Sequence, residues 1–526
     1  MKIKVFIKNT AMLVFTSLLL RTAGIIFRVY LAGKIGSEGM GLYQLIISVY
    51  VFGAAFATSG ISTAVTRLIS ENESGGLLAA KKILSRAMML TVSIGLASSA
   101  SIFFGARFIA YHILRDIRTT LSLKILSFSF VPMGLSSVAR GYFIAKRKTL
   151  EPSLTQIAEQ VIRITSIVIL FSHFSKLGTE YCTAAVLLGD TIAETASFLI
   201  LWALLLKHRK SLERGNSIKG TAKEIIRIAL PITASSYIST ALHAIENLLV
   251  PLRLALFYGV KDRALSLFGA IRGMALPVLF FPASFLTSLS TLLIPEMSSA
   301  AARGDKREIK RAVGGAFRIT LVLSIFAASV FLFLSEEIGL LVYGDKEVGF
   351  MIKMLAPIVP FMYLESVAAG MLKGLDAQVS QFKLGLIDSI LRIALILITL
   401  SKHGIKAYLL IMIISNCFTS TLNSRNLLKK AELRLDISGW VIKPTLCGIG
   451  ASFLAKILTK NISHLMIKAV AFLLISAAIF LILSCITKII SREEFERIFY
   501  KIKPTTKEKA KPLKLYSRVP HRQGRL

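Results

Sequence analysis

Four arginines stand inside stretches of chain that are otherwise apolar: Arg21, Arg28, Arg253 and Arg272. An ionised side chain at the centre of a bilayer costs about 2.5–3.5 kcal/mol on insertion scales, so each needs a partner or a task. Arg21, Gly24 and Arg28 follow at i, i+3 and i+7, which puts them on one helical face. The glycine between them leaves room for a ligand or a close-packed helix. Arg28 and Arg253 are long enough to snorkel toward headgroups, whereas Arg21 lies deeper. Arg272 precedes Pro277 and Pro282, and prolines in a span are tolerated only where protein or a wet cavity satisfies the freed carbonyls. Gly24, Pro277 and Pro282 are therefore candidate gating positions. Guanidinium forks match phosphate geometry and stay charged at any physiological pH, so the set predicts a substrate bearing a diphosphate.

The carboxylates divide into two groups. Glu159 and Arg163, and likewise Asp388 and Arg392, are spaced i, i+4 with the acid first, and each pair neutralises itself along its own helix. Glu159, Arg163 and Arg392 are accordingly read as structural ion pairs. Glu246 is too short to snorkel, and with Asp388, Asn416, Thr419 and Glu365 it makes an oxygen-rich set that suits a hard cation or a proton. Coupling to Na+ or H+ is expected there, with no resident metal and no organic cofactor. Cys182, Cys417, Cys447 and Cys485 show no paired spacing and read as small core residues.

The elements that position these groups must be membrane spans. Of the 526 residues 54% are hydrophobic and 18% charged, with a mean hydropathy of +0.68, more apolar surface than a soluble domain can hide. Runs of spanning length fall at roughly 6–32, 42–66, 87–113, 120–144, 154–174, 183–206, 225–252, 265–298, 312–335, 348–372, 381–401, 405–424, 440–459 and 465–488. The expected fold is all-α and integral to the membrane, with about fourteen helices. Lys2, Lys4 and Lys8 precede the first run, but its length and Arg21 make it an uncleaved helix rather than a signal peptide. Lys and Arg total 64 against 29 Asp and Glu, and the excess gathers in alternate loops: Lys81 to Arg86, Lys146 to Lys148, Arg303 to Arg311, Arg425 to Arg434. That bias orients helices in a cytoplasmic membrane, with both termini inside, and removes any need for nucleic acid.

The two halves resemble each other. Val131-Pro132, Gly141 and Arg163-Ile164 recur as Val359-Pro360, Gly370 and Arg392-Ile393, and six helices per half make the repeats parallel. The expected organisation is an N-lobe over 1–207, a linker over 208–224, a C-lobe over 225–430, a further helix pair over 431–490, and a basic tail over 491–526. That tail interleaves prolines with lysines and arginines, which predicts disorder close to anionic lipids.

Leu20-Arg21-Thr22-Ala23-Gly24 through Arg28, then Gly36 to Gln44, closely resembles the first-helix signature of the stage V sporulation protein B group. That group lies within the superfamily of multidrug, oligosaccharidyl-lipid and polysaccharide exporters. Gly273 to Pro277, Phe281-Pro282 and Leu289 to Pro295 resemble the group's eighth helix, and Glu159-Gln160 with Arg163 its fifth. The resemblance spans essentially the whole chain. It implies two six-helix lobes in a V shape, flipping of an undecaprenyl-linked peptidoglycan precursor for the spore cortex, and head-group contacts at Arg21 and Arg272. It further implies a lipid-facing groove for the carrier tail on the last two helices, and ion ligands on helices 7, 11 and 12. The group's related lipid II flippases carry a second-helix arginine, where this chain has apolar residues from Val51 to Ala57.

Three functional classes compete, a transporter in two forms, a membrane enzyme and an assembly factor. A flippase of a lipid-linked glycan, acting as a monomer, fits the arginines. A drug/cation antiporter of the same superfamily needs an acid-dominated cavity. A membrane enzyme needs a sizeable aqueous loop with acidic or histidine groups, and the seven histidines, His112, His173 and His403 among them, are scattered. A non-transporting assembly factor for cell-wall synthesis is the remaining alternative.

Overall fold

A computed structural model describes residues 2–58, 60–71, 76–174, 176–209, 221–487 and 489, and among them every regular element is helical. The basic tail from Ser491 and most of the linker lie outside the described residues. Apolar runs without period-two alternation close all their backbone hydrogen bonds internally only as helices, the form the lipid interior demands.

The first half comprises α1 (Lys2–Thr58), α2 (Ile61–Glu71), α3 (Gly76–Phe108), α4 (Thr119–Ser127), α5 (Phe130–Ala145), α6 (Leu150–Phe174) and α7 (Thr179–Arg209). The second comprises α8 (Thr221–Tyr258), α9 (Lys261–Gly269), α10 (Leu276–Phe280), α11 (Ala283–Ala302), α12 (Lys306–Tyr343), α13 (Lys346–Leu355), α14 (Val359–Gly374) and α15 (Gln378–Lys430). Two more helices, α16 (Lys443–Leu458) and α17 (Leu465–Ile486), lean on α12, with Phe326 stacked on Phe480 and Lys468 3.0 Å from Glu337.

Eleven helices are long and apolar enough to cross a membrane, or twelve if the bent pair α4 and α5 is one span. The 57 residues of α1 would make a rod of about 85 Å, nearly three times the hydrocarbon thickness. Gly36 interrupts it with φ 69° and ψ −178°, and Gly404 interrupts the 53-residue α15 with φ 60° and ψ −145°. Such angles suit glycine and turn the chain sharply. The expected count of fourteen spans requires each long helix to fold back at its glycine.

The internal repeat extends into backbone geometry. The left-handed residues Arg115 and Gly344, and Arg147 and Asp376, are separated by the same interval as Arg163 and Arg392. Helix contacts repeat as well. Ser62 Oγ donates to the Ser137 carbonyl at 2.8 Å between α2 and α5, and Ser290 Oγ donates to the Val367 carbonyl at 3.2 Å between α11 and α14. Five of the largest buried side chains, Phe130, Phe268, Phe317, Tyr363 and Tyr408, belong to one core running through both halves. Outward faces stay apolar, Phe104 being 83% exposed and Ile486 70%, as a bilayer-facing surface requires.

Candidate functional site

The halves meet around a cavity of about 640 Å³. α1 contributes Arg21, Gly24, Arg28 and Gln44, α8 contributes Asn247, and the α10 and α11 segment contributes Pro277, Ser284 and Thr287. Arg272 reaches it from the segment between α9 and α10. Three of the four arginines singled out above therefore share one cavity. Arg253, half-buried near the end of α8, is not among its lining residues.

The arginines are held in different ways. Arg21 Nη1 donates to Thr287 Oγ1 at 2.5 Å, joining the first half to the second. Nothing lies within 4 Å of where a Cβ on Gly24 would sit, so the space between Arg21 and Arg28 is open. Residues Ala270–Ala275 form a π-helix that carries Arg272. The physical cause lies one turn on: Pro277 has no N–H to give to the Gly273 carbonyl, and the ladder slips to longer rings such as Leu276 N–H to Ile271 O. Arg272 Nη2 then donates to Glu246 at 2.5 Å and Nε to the Tyr408 hydroxyl at 2.9 Å. Three guanidiniums stand here against the Glu246 carboxylate, and the cavity is electropositive.

Glu246 is the centre of a larger network. It is 1% exposed, and Arg392 Nη1 approaches its second oxygen to 3.5 Å. Arg392 in turn donates to Asp388 at 2.7 Å, and the other Asp388 oxygen accepts from Ser415 at 2.6 Å. Glu365 accepts from Asn423 at 2.8 Å, while Asn416 and Thr419 bond back to their own helix at the Met412 and Ser415 carbonyls. The oxygen set proposed for a cation thus has its two key carboxylates, Glu246 and Asp388, engaged by arginines. Among the described residues no group of three or more His, Cys, Asp or Glu is placed to hold a metal ion.

In the first half Arg163 donates to Glu159 at 2.9 Å and also lies 2.9 Å from Asp190 and 3.5 Å from Glu194, both on α7. Arg140 on α5 reaches Glu159 at 2.8 Å and Ser197 at 3.1 Å. The pair is therefore a five-member cluster tying α5, α6 and α7 together. Asp190, Glu194 and Arg140 each stood in an apolar run, which is the signal that could have found them.

Outside the cavity lining, further contacts join the two halves. On the face bearing Glu38, Asp116, Asp262 and Glu347, Arg118 lies 2.6 Å from Glu38, 2.7 Å from Asp116 and 3.2 Å from Asp262. Hydrogen bonding to Asp116, offset by partial burial and reinforced by Glu38, pushes the Arg118 pKa upward, so the clasp stays charged. Ser37 and Ser266 hydroxyls meet at 2.6 Å beside it. Between α2 and α8 the Gly60 N–H donates to Thr233 Oγ1 at 3.2 Å.

The fold is shared with solved membrane transporters. Lipid II flippase MurJ in an inward closed conformation superposes with a TM-score of 0.70 at 17% identity, covering 92% of this chain and 99% of that one. An inward-facing multidrug resistance MATE family transporter of the MOP superfamily gives 0.55 at 12% identity, covering 80% of this chain and 98% of that one. Residues 6–301 match the family described as polysaccharide biosynthesis protein, and the chain belongs to that family. Stage V sporulation protein B of Bacillus subtilis (strain 168) is 24% identical over 467 residues, 86% of this chain and 90% of that protein. Lipid II flippase MurJ of the same organism is 21% identical over 403 residues, 71% of this chain and 73% of that protein. The chain is thus a multi-pass membrane protein of the polysaccharide biosynthesis protein family, similar to proteins named for sporulation and for lipid II flipping.

Proposed function

We propose that this protein is a flippase that carries an undecaprenyl-diphosphate-linked peptidoglycan precursor, or a related glycan, across the cytoplasmic membrane by alternating access. The observation that carries the reading is the convergence of Arg21, Arg28 and Arg272 on one cavity whose nearby carboxylate, Glu246, is already taken. A diphosphate satisfies that surplus of charge, whereas a cationic drug is repelled by it. Arg21 and Arg272 hold the head group, Arg28 adds charge, and Arg253 acts from outside the lining. Gly24, Pro277 and Pro282 let the walls move. Delivery to the spore cortex is supported by likeness to the sporulation relative. The loop charges support cytoplasmic termini, with the basic tail near anionic lipid.

A coupling cation at Glu246, Asp388, Asn416 and Thr419 competes with Arg392 for its ligands, so ion coupling and rearrangement of that network are one event. The test is reconstitution in liposomes with lipid II and other undecaprenyl-linked glycans, with and without sodium. Flipping of at least one of them, lost on replacing Arg21 and Arg272, is the expected result. Failure to flip any would turn the assignment toward a non-transporting assembly factor.

A further inference from the structure

The cluster on α5, α6 and α7 is out of balance. Arg140 and Arg163 stand against Glu159, Asp190 and Glu194, and among the described residues no third cation pairs with these carboxylates. Glu159 is satisfied from both sides, by Arg163 at 2.9 Å and by Arg140 at 2.8 Å. Asp190 has the Arg163 Nε at 2.9 Å. Glu194 is left over: its Oε1 lies 3.5 Å from Arg163, and its buried Oε2 accepts no hydrogen bond. The residue is 7% exposed, so bulk water does not reach it. An unpaired carboxylate held away from water is costly, and a proton is the smallest ligand that removes the cost.

The duplication makes this surplus particular to the first half. The last span of each half begins at a left-handed glycine, Gly178 with φ 105° and Gly404 with φ 60°. Counted from those glycines, Asp190 falls where Asn416 falls, and Glu194 where Ser420 falls. Both copies keep the arginine, Arg163 or Arg392, while two neutral side chains of one copy stand as carboxylates in the other. The ion-paired set of the second half is accordingly balanced, with Arg272 and Arg392 against Glu246 and Asp388.

The groups that face Glu194 are Glu159 and Arg163 of α6, Arg140 of α5, Asp190 on α7 itself and Tyr50 of α1. The Tyr50 hydroxyl donates to Met133 Sδ at 3.0 Å. α4 also packs on α7, but its Lys124 lies over the Phe103 ring, 5.8 Å from the centroid. We propose that this cluster binds one exchangeable proton, carried between Glu194 and Asp190, as the ligand that balances the first half. The proton belongs to the coupled group rather than to one oxygen. With it on, the charges cancel and α7 packs against α5 and α6. With it off, one uncompensated charge lies between those helices and loosens their packing. The site is separate from the oxygen set at Glu246 and Asp388, and it stands whatever substrate the central cavity carries.

The experiment records infrared spectra of the purified full chain in detergent over a pH series, in H2O and in D2O, and subtracts Glu194→Gln from wild type. The difference should contain the carbonyl stretch of a protonated carboxyl, lowered by deuteration and lost as the pH rises. Glu194→Ser, which carries the residue that the second half has at that place, should lose the same band, so the result does not hang on one variant folding. Glu336→Gln, which alters an exposed carboxyl, should keep it. Arg140→Gln leaves two carboxylates uncompensated and should raise the band about twofold, since a second proton is then needed. At a pH where the band has gone, amide exchange in α7 should be faster in wild type than in Glu194→Gln. A difference spectrum without a protonated carboxyl at any pH, a band that survives in both Glu194 variants, or an unchanged band in Arg140→Gln would each overturn the proposal. None of these readouts depends on flipping.

Discussion

The Arg272 guanidinium and the Glu246 carboxylate meet at 2.5 Å, and this contact fixes the π-helical segment against α8. Glu246 is fully buried and also faces Arg392, so its removal leaves two guanidiniums short of their counter-charge. Breaking a buried pair from one side typically costs about 3–5 kcal/mol. Glu246→Ala should therefore lower the unfolding temperature sharply. Arg272→Lys keeps the charge but cannot serve Glu246 and Tyr408 at once, and should unfold between wild type and Glu246→Ala. Thermal unfolding in detergent checks both, and wild-type stability in Glu246→Ala would remove the network from any structural role.

Arg21 presents the opposite case. Its partner is the Thr287 hydroxyl, and it remains exposed to the cavity. A net hydrogen bond is worth about 0.5–1.5 kcal/mol, so Arg21→Ala should unfold close to wild type. Flipping in liposomes should nevertheless fall by about tenfold or more, since a charge-assisted contact to phosphate is worth roughly 1.5–3 kcal/mol. Thr287→Ala removes the hydroxyl and leaves the charge. Its flipping should stay near wild type, and equal losses in the two variants would mean that the bond, rather than the cation, matters.

Much of this arrangement was legible before any coordinates. A charge in an apolar run is conspicuous, which is why Arg21, Arg28 and Arg272 could be named, and helical periodicity placed the first two on one face. The i, i+4 spacing exposed the Glu159–Arg163 and Asp388–Arg392 pairs. Partners on other helices had no such signal. Periodicity describes one helix at a time, so it could not bring Asp190 to Arg163, or Tyr408 to Arg272. For the same reason the sequence offers Glu246 as an oxygen ligand without the two arginines, Arg272 and Arg392, that reach it from other helices. Arg118 escaped notice because a charge in a connecting segment is unremarkable until its three carboxylates converge.

The first-half cluster sets two guanidiniums, Arg140 and Arg163, against three carboxylates. Arg163→Ala leaves Glu159, Asp190 and Glu194 facing one another with Arg140 as the remaining cation, a like-charge arrangement that burial makes costly. The variant should be strongly destabilised. Adding Glu194→Gln removes one of the repelling charges, so the double variant should recover part of the loss. A double-mutant cycle on unfolding free energy measures the coupling, and additive losses would show that these residues do not act as a unit.

The acidic-face clasp predicts a conformational effect rather than a stability effect. Arg118 is partly exposed, and Asp262 is largely so, which limits each pair to about 0.2–1 kcal/mol. Small energies of that size still redistribute two states of similar free energy. Arg118→Ala should therefore raise the population open on this face without lowering the unfolding temperature appreciably. The neighbouring serines give the means to test closure directly. Ser37 and Ser266 oxygens are 2.6 Å apart, so cysteines at both positions lie within reach of a disulfide. The native Cys182, Cys417, Cys447 and Cys485 are all free and need replacing first. In that background, oxidised Ser37→Cys/Ser266→Cys should be locked shut on the acidic face and inactive, with flipping restored by a reductant. Arg118→Ala should slow formation of the cross-link, because the two halves spend less time together. Undiminished flipping by the cross-linked protein would mean that this face never opens, and alternating access would fall with it.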